Sequence, residues 1–358
     1  MDRQVDALNN WVILDRFGGQ TTLLAVGSPD DPGVSPRRNL AQEAREVLLP
    51  DLLEVLSTGN EVNRIVCRAG DEFQVTIRPI HSPDGSVVSG CYGLYRKAGQ
   101  ACPPVPLIGA WQWTVDRSGN NVGRNASQWD ENLYRLHELE PEDIVSKKGP
   151  AGDWITRLLP YEDQARVKSV VDAGMINADN KQILLSFGAI IDPDSAAPRR
   201  KQLALTGTAM PHPTLPDCTF AYGFTREVHG HVQDATQHLP VVDSALFTRA
   251  YFELASSTVF AAIDCEQNFV FMTSPSWESQ GLPARFDGNI AQLLEETDAE
   301  ALRAHLHEVC TRSTEGSPRP IALRLRLEEN ALRLFSVRAV RVGDALPGRY
   351  VLLSLEAL

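Results

Sequence analysis

The residues of this chain that could do chemistry are few and scattered. His229, His231 and His238 stand close together in "HGHVQDATQH" and could hold a transition metal, or could belong to a solvated connector, since no carboxylate is placed beside them. The six cysteines, Cys67, Cys91, Cys102, Cys218, Cys265 and Cys310, contain no CxxC pair, so neither a zinc knuckle nor a redox motif is written here. Buried free thiols are expected, with Cys67 and Cys91 the pair that a disulfide would use. Glu162-Asp163 and Glu295-Glu296 have the residue type for general acid–base work, but each pair falls at an expected helix start, where carboxylates oppose the helix dipole. There is no G-x-S-x-G elbow, no HExxH and no phosphate loop, and "FGGQTT" at 17–22 lies in a hairpin rather than before a helix. No catalytic residue and no metal ligand is therefore assigned.

Aromatic residues offer a different chemistry, the binding of a flat or apolar molecule. Trp111, Trp113, Trp129, Tyr134 and Trp154 crowd the middle of the chain, and Phe260, Phe269, Phe271, Met272 and Trp277 form a second group. They either line a ligand cavity or fill a core. The candidate ligand-binding residues are Trp113, Trp129, Tyr134, Trp154, Phe260, Met272 and Trp277. Arg324, Arg326, Arg333 and Arg338 could line one sheet face and meet a protein partner, or be solvated or paired with the acids at 295–300.

The elements that must position these residues recur three times. "WVILDRFGGQTTLLAVG" at 11–27, "WQWTVDRSGNNVGRNAS" at 111–127 and "VFAAIDCEQNFVFMTSPS" at 259–276 each read as an apolar strand, an aspartate (Asp15, Asp116, Asp264), a turn and a return strand. In the second, Trp111, Trp113 and Val115 alternate with polar residues, which puts the rings on one face, and the return strand is expected to start in 121–125. Each repeat closes on another hairpin, at 72–97, 200–228 and 332–358, with helical sequence between and a further strand at about 61–68, 182–191 and 320–328. The expected fold is α+β: three tandem five-stranded antiparallel sheets, each with its helices on one face. "GQACPPVP" at 99–106 and "HGHVQDATQHLP" at 229–240 read as linkers, which gives domains 1–98, 107–228 and 241–358, the last opening on a helix at 244–255.

Composition narrows the function classes. With 358 residues, 43 % hydrophobic and 22 % charged, the chain is an ordinary folded protein, and its net charge of −12 opposes nonspecific contact with nucleic acid or anionic lipid. No apolar run approaches the roughly 20 residues of a membrane span, and "MDRQVDALNNW" lacks a signal sequence, so a cytoplasmic location is expected.

"GAWQWTVDRSGN" followed by "LLPYEDQARV" at 158–167 resembles the PAS family, and the third repeat is similar in a weaker form. The first resembles either a trimmed PAS or the related GAF fold, because "SPDDPGVSPRRN" is too short for the usual small helices. As a whole the chain resembles the actinobacterial triple sensor-domain proteins, in which such modules stand in series without an effector domain. The resemblance implies a non-enzymatic sensor or adaptor that binds a small molecule or a protein partner and signals by contact, with a homodimer as one possible state. It implies no cofactor: "RNASQWDENLYRL" lacks the cysteine of a flavin photosensor, and His305 and His307, two residues apart, cannot both serve as an axial base for haem. An enzyme with a cleft site at a domain boundary and a purely structural scaffold stand as the alternatives.

Overall fold

The computed structural model describes residues 4–27, 30–116, 126–144, 150–193, 198–228, 258–265, 269–274, 276–283, 289–311, 319–328, 330–341 and 350–358. The linker at 229–240, its three histidines and the expected helix at 244–255 lie outside them.

The fold is α+β, built on three antiparallel sheets. In the first, β1 (Val12–Phe17), β2 (Gln20–Val26), β3 (Asp30–Val34), β4 (Val62–Arg68), β5 (Asp71–His81) and β6 (Val88–Lys97) are ordered β3-β2-β1-β6-β5-β4. The second comprises β7 (Ile108–Asp116), β8 (Ala126–Trp129), β9 (Gln182–Ile191), β10 (Arg199–Pro211) and β11 (Cys218–Glu227), ordered β8-β7-β11-β10-β9. The third has β12 (Val259–Asp264), β13 (Phe269–Thr273), β14 (Ile321–Arg326), β15 (Leu332–Arg341) and β16 (Tyr350–Ala357), ordered β13-β12-β16-β15-β14. The same five-strand order occurs in all three, and the first sheet adds β3 at its edge. That strand lies within "SPDDPGVSPRRN", where the sequence reading places no strand. β3 is the edge strand of the sheet, the position at which a strand tolerates a proline such as Pro32.

Helical segments lie between the second and third core strands of each repeat. These are α1 (Pro36–Asn39), α2 (Gln42–Val47) and α3 (Leu49–Thr58), then α4 (Glu131–His137), α5 (Pro150–Asp153) with a π-turn at Trp154–Leu158, and α6 (Tyr161–Asn177), then α7 (Ser276–Ser279) and α8 (Glu296–Thr311). Asp130 caps α4 by accepting from the Leu133 N–H at 2.7 Å, and Gly59 ends α3 at φ +72° while donating to the Val55 carbonyl. The acid pairs 162–163 and 295–296 stand at the starts of α6 and α8 as expected.

Strand alternation divides each sheet into two apolar faces. In the first sheet Val12, Leu14, Leu23, Val75 and Tyr95 pack under α2 and α3 with Val47, Leu48 and Leu52. Ile13, Phe17, Leu24 and Ile80 point the other way, where they share a cluster with Ile108, Ala110, Phe220, Tyr222 and Phe224 of the second sheet. Each large side chain so buried contributes about 1.5–3 kcal/mol. In the third sheet Val259, Ala261, Ile263, Phe335 and Val337 pack with Leu302 and Leu306 of α8.

The chain divides into two compact units. One holds residues 1–118, 123–141 and 170–240, with the first two sheets; the other holds 119–122, 142–169 and 241–358, with the third sheet. The segment 142–169, which the sequence places inside the middle repeat, thus packs with the third sheet.

Candidate functional site

The most distinctive polar arrangement among apolar residues lies on the helix-bearing face of the second sheet. Gly207 and Gly223 sit opposite each other in β10 and β11, and Gly223 also pairs with Trp111 in β7. A Cβ on Gly207 would meet the Trp111 ring at 2.5 Å, and one on Gly223 at 2.6 Å, so the indole lies directly on a floor that only glycine can form. Ala209 and Ala221 continue this floor, with Trp113 paired to Ala221 beside it. Trp111 is cross-strand from Trp129, whose ring stacks on His137 at 4.9 Å and meets Tyr134 at 5.5 Å. Helix α4 comes close enough for this because Gly109 has no side chain: a Cβ there would lie 2.3 Å from the Leu133 Cα.

Two polar atoms in this cluster are buried without a hydrogen-bond partner, Nε1 of Trp111 and Nδ1 of His137. His137 is 1 % exposed, and burial, aided by the nearby Lys201 charge, brings its pKa down to about 3. Its imidazole is neutral at ordinary pH. Trp111, Trp113 and Trp129 are only half-buried, so the cluster reaches the surface. An N–H donor, a neutral imidazole and three indoles side by side suit a flat molecule carrying a hydrogen-bonding edge.

The candidate residues read from sequence divide. Trp113, Trp129 and Tyr134 are brought to this one face. Trp154 is not: it begins the π-turn in the other compact unit, where that turn packs on β13. Phe260 and Met272 point to the face of the third sheet away from its helices, whereas Trp277 is in the helix-side core and donates its indole N–H to the Pro283 carbonyl at 2.9 Å. These three do not form one site. Trp111 and His137 join the cluster without having been among the candidates. The strand glycines of "LTGTA" and "AYGFT" carry the signal for the first, since a lone glycine inside a strand marks close approach. His137 shares a helical face with Leu133 and Leu136, all three buried.

The three repeated aspartates end up on equivalent faces, each pointing away from its helices, with different partners. Asp15 is fully buried and accepts from the Thr22 and Thr206 hydroxyls and the Gln182 side-chain amide, the Thr206 bond being 2.9 Å. Burial raises its pKa to about 6 even though all three donors oppose the shift. Asp264 is also fully buried, and Lys168 of α6 reaches it at 2.7 Å, with its ammonium 5.3 Å from the Phe271 ring and 5.4 Å from that of Tyr350. Asp116 is buried on the corresponding face of β7.

Of the histidines weighed against a haem role in the sequence, His305 is turned inward on α8 with an unpartnered Nε2 and a pKa lowered by burial, while His307 faces solvent. Among the described residues no group of three His, Cys, Asp or Glu side chains could hold a metal ion. The arginines do not share one face. Arg324, Arg326 and Arg338 alternate with core residues, Arg324 pairing with Asp298 at 3.0 Å and Glu295 at 3.1 Å, whereas Arg333 lies on the helix side over Phe335. Only Cys91 and Cys218 are buried thiols; Cys67 and Cys102 are exposed and Cys265 and Cys310 lie between. No helix among the described residues is long and apolar enough to cross a membrane.

The fold and this site define an α+β protein of three antiparallel sheets with an aromatic, partly polar cluster under the helices of the second. The chain is similar in fold to an uncharacterised protein from Mycobacterium tuberculosis, with a TM-score of 0.59 and 15 % identity over 97 % of this chain and 96 % of that one. An RNA-binding light-oxygen-voltage receptor aligns at a TM-score of 0.27 and 8 % identity over 69 % of this chain and 93 % of that one, too slight a likeness to carry an argument. No protein-family model matches the chain, and no curated protein does.

Proposed function

We propose that the chain is a non-enzymatic sensor or adaptor whose middle repeat binds a small, flat, uncharged molecule against the second sheet and passes its state on by protein contact. The observation that carries this reading is the pair of buried, unpartnered nitrogens on Trp111 and His137, side by side with Trp129. A buried polar atom without a partner costs about 1–3 kcal/mol, and a ligand edge offering an acceptor to the indole and a donor to the imidazole would recover it. The antiparallel sheets with helices on one face agree with the PAS- and GAF-like resemblance of the sequence. The strongly perturbed carboxyl of Asp15 is sealed behind three donors with no exposed surface, which favours a structural role for it over turnover. Neither nucleic acid nor membrane is part of this reading, and no cofactor is.

Native mass spectrometry of freshly purified protein tests it. The expected result is a retained small molecule, lost in the variants Trp129→Ala and His137→Leu. A mass equal to the polypeptide alone, together with no thermal shift from a panel of neutral heteroaromatic compounds, overturns it.

A further inference from the structure

The face of the third sheet that turns away from α8 changes character from one side to the other. One row across it runs through Met272, Ala262, Leu352 and Val340, each the cross-strand partner of the next. Met272 and Ala262 are buried, and the π-turn at Trp154–Leu158 packs on the strand that carries Met272, whereas Val340 is 51 % exposed. Leu332 and Leu334 share that outward side of β15 and are 44 % and 42 % exposed. The inward residues Phe335, Val337 and Ala339 already fill the core, so β15 is apolar on both sides. Single exposed aliphatic residues need no explanation, but several aligned on one surface mark a contact.

The charges on the same face point to what makes it. Arg324 is held by Asp298 and Glu295, but Arg326 and Arg338, lying cross-strand from Leu332 and Ser354, make no ion pair among the described residues. Glu356 is the one acid at an outward position of the described β14, β15 and β16. In a chain of net charge −12 this is a basic, apolar island, the composition that suits a protein contact. A second copy presenting the same face would set Arg326 and Arg338 against their own counterparts, with only Glu356 to offset them. Nucleic acid would find aliphatic side chains where it needs aromatic stacking and a broader basic surface. An acidic polypeptide with apolar residues meets both features.

We propose that the outward face of β14, β15 and β16 docks an acidic amphipathic helix of a partner protein. The apolar side of that helix lies on Leu334, Val340 and Leu352, and carboxylates at its flanks pair with Arg326 and Arg338. From Leu334 to Val340 the strand rises about 20 Å, which a helix of about 13 residues spans. The opposite face shows the same geometry at work, where Leu302, Leu306 and Val309 of α8 lie at helical spacing in one cluster with Phe335 and Val337. The docked helix gives the sheet a second helical layer. This inference rests on the proposed signalling by protein contact and gives that contact a place, but it needs no ligand in the middle repeat.

The test is fluorescence anisotropy of the full chain with two labelled probes, an amphipathic helical peptide of Glu and Leu and its counterpart with Lys for Glu. The Glu peptide is expected to bind, more weakly as salt rises, and the Lys peptide not to bind. Affinity for the Glu peptide should fall at least tenfold in Val340→Asp and in Arg326→Glu combined with Arg338→Glu, all at exposed positions, and the arginine variant should gain binding of the Lys peptide. Arg338→Gln, checked for an unchanged thermal midpoint, repeats the loss in a milder form. Trp129→Ala should bind the Glu peptide as wild type does, which keeps this result separate from that of the retained small molecule. The proposal is overturned if the Glu peptide does not bind, if it binds wild type and the face variants alike, or if sedimentation shows a dimer that Val340→Asp abolishes, since a second copy then occupies the face.

Discussion

Asp15, Asp116 and Asp264 hold the same place in three hairpins, yet the first and last meet the cost of burial in different ways. Asp15 is surrounded by neutral donors, and its pKa of about 6 stands above the ordinary 3.8, so the folded state binds its proton more tightly than the unfolded one. Stability from this group is therefore greatest below about pH 4 and falls as pH rises through 6, by about 3 kcal/mol. His137 works in the opposite sense. Its pKa of about 3 lies below the ordinary 6.5, so stability is full above that value and is lost as pH falls, by about 3 kcal/mol near pH 4. Asp15→Asn, with Gln182 turning its amide to donate less and accept more, should gain about 3 kcal/mol relative to wild type between about pH 4 and pH 7; urea titrations across that range measure it, and a constant difference would refute the assignment. Asp264 instead has a buried cation. Lys168→Met takes the buried cation away from its carboxylate and should cost about 3–5 kcal/mol, whereas Lys168→Met combined with Asp264→Leu should recover most of the loss in the same denaturation assay.

At the scale of elements, the glycines of the second sheet are as decisive as its tryptophans. A Cβ on Gly223 would stand 2.1 Å from the Thr206 carbonyl oxygen and 2.6 Å from the Gly207 Cα, contacts only backbone movement can relieve. Gly223→Ala should cost at least about 2 kcal/mol and shift tryptophan emission. Gly19→Asn, at a turn with open space and φ +74°, should cost less than about 1 kcal/mol. The strands themselves were largely legible: the strand expected at about 182–191 corresponds to β9, and the apolar starts of the three hairpins correspond to β1, β7 and β12. Period-two patterning reports which side chains share a face, which is why Trp111 and Trp113 were placed together; Trp129 was grouped with them only as a nearby aromatic. Patterning does not report what covers that face, so Phe260 and Trp277 could not be separated. In the second hairpin the described return strand is Ala126–Trp129, while 117–125, where its start was expected, lies outside the described residues.

For the molecule as a whole, the grouping of 142–169 with the third sheet was hidden from the sequence because its key partnership spans 96 residues, from Lys168 to Asp264. Neither residue advertises the other; each reads as an ordinary charge beside an apolar run. A fragment of residues 241–358 lacks Lys168 and the π-turn that packs on β13. It is expected to bind a hydrophobic dye and to unfold without the cooperative transition of the full chain; unfolding at the full chain's midpoint would show that the third sheet stands alone. The side-by-side burial of the first two sheets has a further consequence at the strand they depend on. Thr206 and Gly207 are consecutive in β10, one anchoring Asp15 across the apolar layer between sheets, the other supporting the Trp111 indole on the opposite side. A single peptide link therefore joins a proton-binding group to an aromatic shelf, and neither can be displaced without mechanical load reaching the other.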